Sequence, residues 1–457
     1  MKDKKNHIVG FFPMLDNLGD TLPLIEIADK YEKIGGNVVF FSEGGYYKKL
    51  VKNNEKKIKD KGFKLVRIKI KNIEDRQVVE QLHRKSSNYH KGKTSPEDAY
   101  IDIFNKSNRS LFKKIIEQES EVFKKEKIDL LLTGFQLQSR ISTYLAKIPI
   151  VFLVSGTVTP AYYESQLATF PINFENFLTG IIPKNVKNYF INWYLLKTKK
   201  CVKDYNKLAE DFGAPKVKRF LDIINGDYTL IPEDINFLNI KPSSKFSLNN
   251  FLGPILYENN FCKLKNKEDF ELKKHFKKPG KKILITLGSS GARWVFIEIL
   301  KALNDTEYIV VAVHSSILEK CKETLNFSKN ILLRESVPSI KEMHKKADLS
   351  IIHGGRGTVY TAALAGKPII GIPMHLEQQY NIDNIIRKGA GIRIGKKNFS
   401  RKKLINSIEC IFKDYKKYIK YAERLKKDIR KPDGAKNASL RIIEILNEIN
   451  DIKKKNI

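Results

Sequence analysis

The chain has 457 residues, more than one hydrophobic core usually supports, so two domains are expected. Lys and Arg number 84 against 51 Asp and Glu, a formal net charge of +33, and the 42% hydrophobic fraction is enough for packed cores. This charge favours anionic lipid headgroups or phosphorylated substrates, although a lysine-rich proteome would explain it equally well. Nucleic acid is not expected as a partner, because no reader motif is present and Arg is scarce beside Lys.

The cysteines and the apolar runs indicate the compartment. The four cysteines are far apart and form no Cys-x-x-Cys pair, which suggests neither a zinc site nor a disulfide framework and fits a reducing cytosol; they are Cys201, Cys262, Cys321 and Cys410. No apolar run approaches the roughly 20 residues of a spanning helix. We therefore expect a cytoplasmic protein, soluble or peripheral on the cytoplasmic face of a membrane.

Apolar strands alternate with helical patterns along the first half of the chain: strands at 7–13, 37–42, 63–70, 128–133 and 150–155, helices at 22–34, 109–127 and 139–147. Such alternation predicts a parallel sheet with helices on both faces. Aromatic residues then crowd 160–200 among prolines and glycines. They would line an acceptor cleft, touch a membrane, or fold into a core of their own.

A stretch at 240–256 with little periodicity predicts a linker, after which strands and helices alternate again. The predicted organisation is an N-terminal Rossmann-like domain at 1–245, a C-terminal Rossmann-like domain at 246–430, and a C-terminal helix with a basic tail at 431–457. The last seven residues are expected to be frayed. The fold class is α/β, with two parallel-sheet domains.

One stretch of the second half indicates a phosphate site. An apolar strand enters His353-Gly-Gly-Arg-Gly-Thr358 and then an alanine-rich helix that Thr358 is expected to open, so free backbone N–H groups and the positive helix end face one anion. Gly288-Ser289-Ser290-Gly291 follows another strand, and its small residues would allow backbone amides close to a phosphate. The next strand leads to Glu377 and Gln378, which are able to hold vicinal hydroxyls.

The His-Gly-Gly-x-Gly-Thr pattern, with Ala365-Gly-Lys-Pro368, the Glu-Gln pair and Asn381, resembles the donor-binding signature of inverting nucleotide-sugar glycosyltransferases related to UDP-glucuronosyl- and sterol glucosyltransferases. The resemblance implies the GT-B arrangement, in which two Rossmann-like domains face each other across a cleft. It implies contacts to the donor nucleotide and diphosphate from Gly288, Ser289, Ser290, Val337, His353, Gly355, Gly357 and Thr358. Glu377 and Gln378 would bind the sugar.

The resemblance places the catalytic base in the first loop of the N-terminal domain. Many members carry Gly-His there, whereas this chain has Gly19-Asp20, which is similar to the sterol and glycopeptide glucosyltransferase branch. A carboxylate in a closing, partly dry cleft has a raised pKa and can accept a proton. The alternative is that Asp20 only caps a helix. Thr361 stands where other members have a ribose-binding Glu, and Glu377 replaces Asp, so the nucleotide and the sugar stay open.

We therefore expect a single displacement with inversion, in which Asp20 deprotonates an acceptor hydroxyl while the leaving diphosphate is stabilised. No metal and no cofactor are expected beyond the nucleotide-sugar donor, and UDP is favoured. The acceptor would be lipophilic or a small molecule, with an anionic membrane surface as a further partner. A UDP-sugar epimerase and a non-catalytic sugar-nucleotide-binding partner remain alternatives. An NAD-dependent oxidoreductase is disfavoured, because residues 13–20 lack Gly-x-Gly-x-x-Gly.

Overall fold

The computed structural model describes residues 7–44, 48–68, 104, 106–241, 248–257, 266–288, 291–314, 327–429 and 433–455. Across these residues, no helix combines the length and the apolar character needed to cross a membrane. The expected phosphate-binding serines Ser289 and Ser290 lie outside the described residues, as do Cys262 and Cys321.

The first half of the chain forms a six-stranded parallel sheet with strand order β3-β2-β1-β4-β5-β6. Its strands are β1 Ile8–Phe12, β2 Asn37–Ser42, β3 Lys64–Arg67, β4 Leu130–Thr133, β5 Ile150–Leu153 and β6 Tyr228–Leu230. Its helices are α1 Leu18–Lys33, α2 Lys48–Asp60, α3 Arg109–Lys125, α4 Ser139–Ala146, α5 Pro160–Glu164, α6 Phe177–Ile181, α7 Lys184–Lys197, α8 Val202–Glu210, α9 Phe220–Ile223 and α10 Ile235–Leu238.

The second half repeats this architecture with strand order β12-β11-β10-β7-β8-β9, again all parallel. Its strands are β7 Lys282–Thr286, β8 Ile309–Val313, β9 Ile331–Arg334, β10 Leu349–Ile352, β11 Ile369–Gly371 and β12 Gly391–Arg393. Its helices are α11 Asn266–Phe276, α12 Arg293–Leu303, α13 Ile340–Lys346, α14 Arg356–Leu364, α15 Leu376–Arg387, α16 Arg401–Lys413, α17 Tyr415–Asp428 and α18 Gly434–Lys455.

The predicted fold class is confirmed by these two sheets. Central strands such as β4 and β10 are buried along their whole length, because helices cover both faces of each sheet. In both sheets the strand order reverses between the first and the fourth strand, which makes β1/β4 and β7/β10 the two topological switch points. Crevices at the carboxyl ends of such strand pairs are where open α/β sheets bind ligands.

The two domains share a continuous apolar contact. Helices α14 and α15 of the second domain contribute Tyr360 and Tyr380 to the same buried cluster as Tyr162 and Phe237 of the first. The ring centroids of Phe237 and Tyr360 are 4.6 Å apart, and the backbone N–H of Asp234 donates to the Tyr360 hydroxyl at 3.0 Å. This contact sets the position of α14, and of the glycine-rich loop that precedes it, relative to the first domain.

The C-terminal helix α18 returns to the first domain. Its buried residues Ala438, Ile442 and Ile445 join the cluster formed by α1 and the first sheet. The Ser439 hydroxyl donates to the carbonyl of Ile27 at 3.2 Å. The prediction that residues 451–457 are frayed was wrong for most of that stretch, because the helix continues through Lys455.

Candidate active site

Asp20 lies at the first switch point, directly after β1. Helix α1 begins at Leu18, four residues before the predicted start, because the Asn17 side chain caps it by accepting the Gly19 N–H at 2.9 Å. Asp20 therefore occupies the first turn and is not the N-cap residue. Its carboxyl group turns back into the protein, where Oδ2 accepts the Met14 N–H at 2.6 Å, and only 4% of the residue is exposed.

Gly134, just beyond β4, makes room for this carboxyl group. A Cβ atom at residue 134 would lie 1.6 Å from Oδ1 of Asp20, so no other residue fits here without moving the aspartate. Burial raises the pKa of Asp20 to about 7, against the lowering effects of the Met14 amide and the Arg356 guanidinium. A carboxyl group whose pKa lies near neutrality is suited to accept a proton in catalysis.

His353 lies at the second switch point, where β10 ends beside β7. Its ring is 5% exposed and packs between two glycines. A Cβ atom at Gly288, whose φ is +57°, would lie 2.6 Å from Cε1 of the ring, and one at Gly355 would lie 2.4 Å from Nε2. The sequence pattern predicts a phosphate-binding role for these glycines. They are also required by the packing of the histidine.

The imidazole of His353 is neutral at physiological pH. Burial lowers its pKa to about 4, the Thr286 backbone opposes this, and nearby His314 lowers it further. His314 follows β8 on the other side of β7, is 3% exposed, and also has a pKa lowered to about 4 by burial. A neutral imidazole still donates one N–H, so His353 can serve as a hydrogen-bond donor without carrying a charge.

The loop after His353 forms the start of α14. The helix begins at Arg356 with Gly355 as its N-cap, two residues earlier than Thr358, which the sequence analysis expected to open it. Gly357 is exposed and Thr358 half-buried, so the first turn is accessible, and no side chain caps it. Such a turn offers backbone N–H groups and the positive end of the helix dipole to an anion.

Val337, expected near the nucleobase, and Gln378 and Glu377, expected near the sugar, differ in burial and in hydrogen bonding. The Val337 side chain is buried in an apolar cluster with Met343, so only its backbone can face a ligand. Gln378 is 3% exposed, and its Oε1 accepts the Met374 N–H at 2.9 Å, so its amide oxygen stabilises its own loop. Glu377 is half-buried. Burial raises its pKa, whereas the Arg356 guanidinium and the nearby Ser155 hydroxyl lower it.

Arg356, which the motif leaves unspecified, connects the two halves of the site. Its Nη2 donates to the backbone carbonyl of Gly19 at 2.9 Å, across the cleft from its own helix. Its charge lowers the pKa values of three buried or half-buried carboxyl groups, those of Asp20, Glu233 and Glu377. One guanidinium therefore faces acidic groups from both domains.

Glu233 is the second functional candidate that sequence reasoning missed. It is fully buried, its Oε2 accepts the Ser155 hydroxyl at 3.0 Å and the Gly156 N–H, and burial raises its pKa to about 7. Nothing in Ile231-Pro-Glu-Asp234 marks it as special, because only the long-range contact to Ser155 brings it to the cleft. Arg356, by contrast, could have been identified from the sequence, because it lies inside the glycine-rich motif.

Comparison with known proteins agrees with this geometry. Residues 282–438 match the family model described as the glycosyltransferase family 28 C-terminal domain. The NDP-glycosyltransferase YjiC of Bacillus subtilis (strain 168) is 22% identical over 338 residues, which cover 72% of this chain and 75% of that protein. UDP-glucuronosyltransferase 2B15 of Rattus norvegicus is 36% identical over 76 residues, only 14% of its own length.

Solved structures share the fold of the whole chain. Spinosyn forosaminyltransferase SpnP aligns with a TM-score of 0.62 at 14% identity, covering 97% of this chain and 100% of its own. Glycosyltransferase VinC, solved in complex with DTDP, aligns with a TM-score of 0.61 at 14% identity, with the same coverage. The chain has a GT-B fold, and the family-model and sequence matches support a glycosyltransferase that moves a sugar from a nucleotide sugar.

Proposed function

We propose that the protein is an inverting, metal-independent glycosyltransferase that moves a hexose from a nucleotide diphosphate sugar, with UDP as the favoured nucleotide, to a hydroxyl group of a lipophilic or small-molecule acceptor. The observation that carries this proposal is the combination of groups at the two switch points. A buried carboxyl group with a pKa near 7 and a glycine-rich helix start lie on opposite walls, and Arg356 joins them.

The proposed step is one displacement at the anomeric carbon. Asp20 accepts the proton of the acceptor hydroxyl as its oxygen forms a bond to that carbon, and the bond from the carbon to the diphosphate oxygen breaks on the opposite side. The diphosphate leaves with the bonding electron pair. Its charge is stabilised by the His353 N–H and the first-turn amides of α14.

Donor binding without a metal is supported by the groups on the donor wall. The positive end of α14 and a neutral histidine provide donors for a diphosphate, and Arg356 adds a cation at the cleft. Glu377 is the better candidate for sugar hydroxyls, because the Gln378 oxygen already accepts from Met374. Transfer is therefore expected to persist in a chelating buffer.

The experiment incubates the purified protein in EDTA with a panel of UDP- and dTDP-sugars, first measuring donor-dependent thermal stabilisation. Transfer to pooled lipid and aglycone acceptors follows, and NMR determines the anomeric configuration of the product. Asp20→Asn is compared with Asp16→Asn, a matched carboxylate in the same loop. The proposal expects stabilisation by one donor, an inverted product, and transfer lost only in Asp20→Asn.

Three results would contradict the proposal in distinguishable ways. Retention of configuration would exclude the single displacement. An epimerised nucleotide sugar formed without acceptor would favour the epimerase alternative. Donor binding with no transfer to any acceptor would favour a non-catalytic sugar-nucleotide-binding protein.

A further inference from the structure

Residues 174–193 carry an exposed apolar surface, which we call the aromatic face. Among the described residues, 17 large hydrophobic side chains are exposed, and nine of them fall within this 20-residue stretch. Phe177 is 84% exposed, Leu178 73% and Ile181 70%. Soluble proteins rarely expose a large apolar surface without a partner, and Phe190 and Trp193 pack against each other on this one, with ring centroids 5.9 Å apart.

Helix α7 explains how this surface arises. Its inward side carries Ile191 and Leu195, which are 8% exposed, and Asn192, which is fully buried and bonded to the backbone of Ala168. The outward side carries Val186, Tyr189, Phe190 and Trp193 at the spacing of one helical stripe, and these are exposed. The helix is therefore apolar on two sides, and only one of them is covered by the protein.

The aromatic segment at 160–200 has two parts, which differ in burial. Tyr162 and Tyr163 are buried, but they join the cluster shared with the first sheet and the second domain and do not form a separate core of the segment. From Phe174 to Trp193 the aromatic side chains are instead exposed, whereas Tyr194 packs against the core. Segment 169–173 between the two parts contacts the second domain, for example through the Gln379 side chain, whose Oε1 accepts the Ile172 N–H at 2.9 Å. The aromatic face is thus attached to a fixed part of the molecule.

We propose that the aromatic face docks onto an anionic lipid bilayer, with α6 and α7 lying in the interface. Lys184 and Lys197, both exposed, are the first and last residues of α7, and Lys199 follows the helix. In the sequence from 174 to 200, Glu175 is the only acidic residue. Lysines at the ends of an apolar stripe reach anionic headgroups while the rings enter the acyl boundary.

The charge distribution favours a bilayer over a second copy of the chain. A second copy seated face to face would bring the same lysines together and add another formal charge of +33. An anionic surface instead gains from both the lysines and the overall charge. This inference is independent of the proposed transfer reaction, because docking requires neither a donor nor Asp20.

The chain provides a matched pair of probes, because its two tryptophans are equally exposed. Trp193, on the aromatic face, is 49% exposed, and Trp294, in the second domain, is 48% exposed. With excitation selective for tryptophan over tyrosine, Trp294→Phe reports on Trp193 alone and Trp193→Phe reports on Trp294 alone. Each variant is titrated with phosphatidylcholine vesicles that contain or lack phosphatidylglycerol, and emission and co-sedimentation are measured.

The expected result is a blue shift for Trp193 alone, with vesicles that contain phosphatidylglycerol. Replacing Lys184 and Lys197 together by alanine should weaken vesicle binding about 30-fold, and replacing Phe177 and Phe190 together by serine should weaken it at least as much. Unchanged donor-dependent thermal stabilisation would show that these variants are folded.

Two results would overturn the proposal. No shift and no co-sedimentation with either vesicle would remove the bilayer as occupant. A blue shift of Trp193 that grows with protein concentration in the absence of vesicles would assign the aromatic face to a second copy of the chain.

Discussion

Replacing Asp20 by asparagine should abolish transfer and at the same time stabilise the fold at neutral and alkaline pH. The aspartate and asparagine side chains have nearly the same shape, and the asparagine Oδ1 can still accept the Met14 N–H. Loss of a general base is expected to lower the transfer rate on the order of 10²- to 10⁴-fold. The stability gain follows from burial, because asparagine carries no charge.

The magnitude follows from the pKa of Asp20, which burial raises from 3.8 to about 7. Below pH 3.8 both the folded and the unfolded chain hold this proton. As pH rises, the unfolded chain releases it first, so the wild-type protein loses stability until about pH 7 and loses no more above it. The complete loss is about 4 kcal/mol, and asparagine avoids it.

The assay is thermal denaturation of wild type and Asp20→Asn across this pH range, with Asp16→Asn as the control. The difference between Asp20→Asn and wild type should grow from about pH 4 to about pH 7 and then stay constant. Transfer by the wild type should rise as Asp20 ionises in the folded protein, with its midpoint near pH 7. If Asp20→Asn were instead destabilised equally at every pH, the carboxyl group would have a structural role and the reasoning would fail.

Two further variants test other parts of the site, and a third tests Glu119, a fully buried carboxyl group of the first domain that accepts hydrogen bonds from Gln138, Ser139 and Ser142. Gly355→Ala places a Cβ atom 2.4 Å from the His353 ring and should weaken nucleotide-sugar binding about tenfold or more in calorimetry; unchanged affinity would separate His353 from the donor. Arg356→Gln removes a charge that lowers the pKa of Asp20, so the pH–rate profile should move to higher pH, and an unmoved midpoint would contradict this coupling. Burial raises the pKa of Glu119 to about 8, so at pH 7 the folded chain holds a proton that the unfolded chain releases. Glu119→Gln should therefore raise the free energy of unfolding at pH 7 by about 1 to 3 kcal/mol in thermal denaturation. A lower free energy of unfolding in this variant would contradict the reasoning.

The sheets and the donor-side loop could be predicted because their signals are local. Each buried strand is a short apolar run, and His353 with its glycines is contiguous in sequence. The start of α1 was placed too late because residues 18–21 carry little helical periodicity, whereas the cap at Asn17 decides where the helix begins. Predicting that cap requires the side-chain conformation of one residue, which hydrophobic spacing does not specify.

The contacts between the domains could not be predicted, because they join residues that are hundreds of positions apart. The hydrogen bond from Arg356 to Gly19 spans 337 positions. Within the first domain, the hydrogen bond from Ser155 to Glu233 spans 78 positions and is equally invisible to local patterns. No local pattern distinguishes Glu233 from an ordinary surface carboxylate. Likewise, the spacing of α7 predicts a helix, but only the packing of the domain determines which of its two apolar sides stays exposed.

The most direct test of the account separates binding from turnover with two variants. Affinity for the selected nucleotide sugar is measured by calorimetry in EDTA, and transfer is measured in parallel, for wild type, His353→Ala and Asp20→Asn. The account predicts that His353→Ala loses donor affinity, whereas Asp20→Asn binds the donor like wild type and does not transfer. Full transfer by Asp20→Asn, or unchanged donor affinity in His353→Ala, would contradict it.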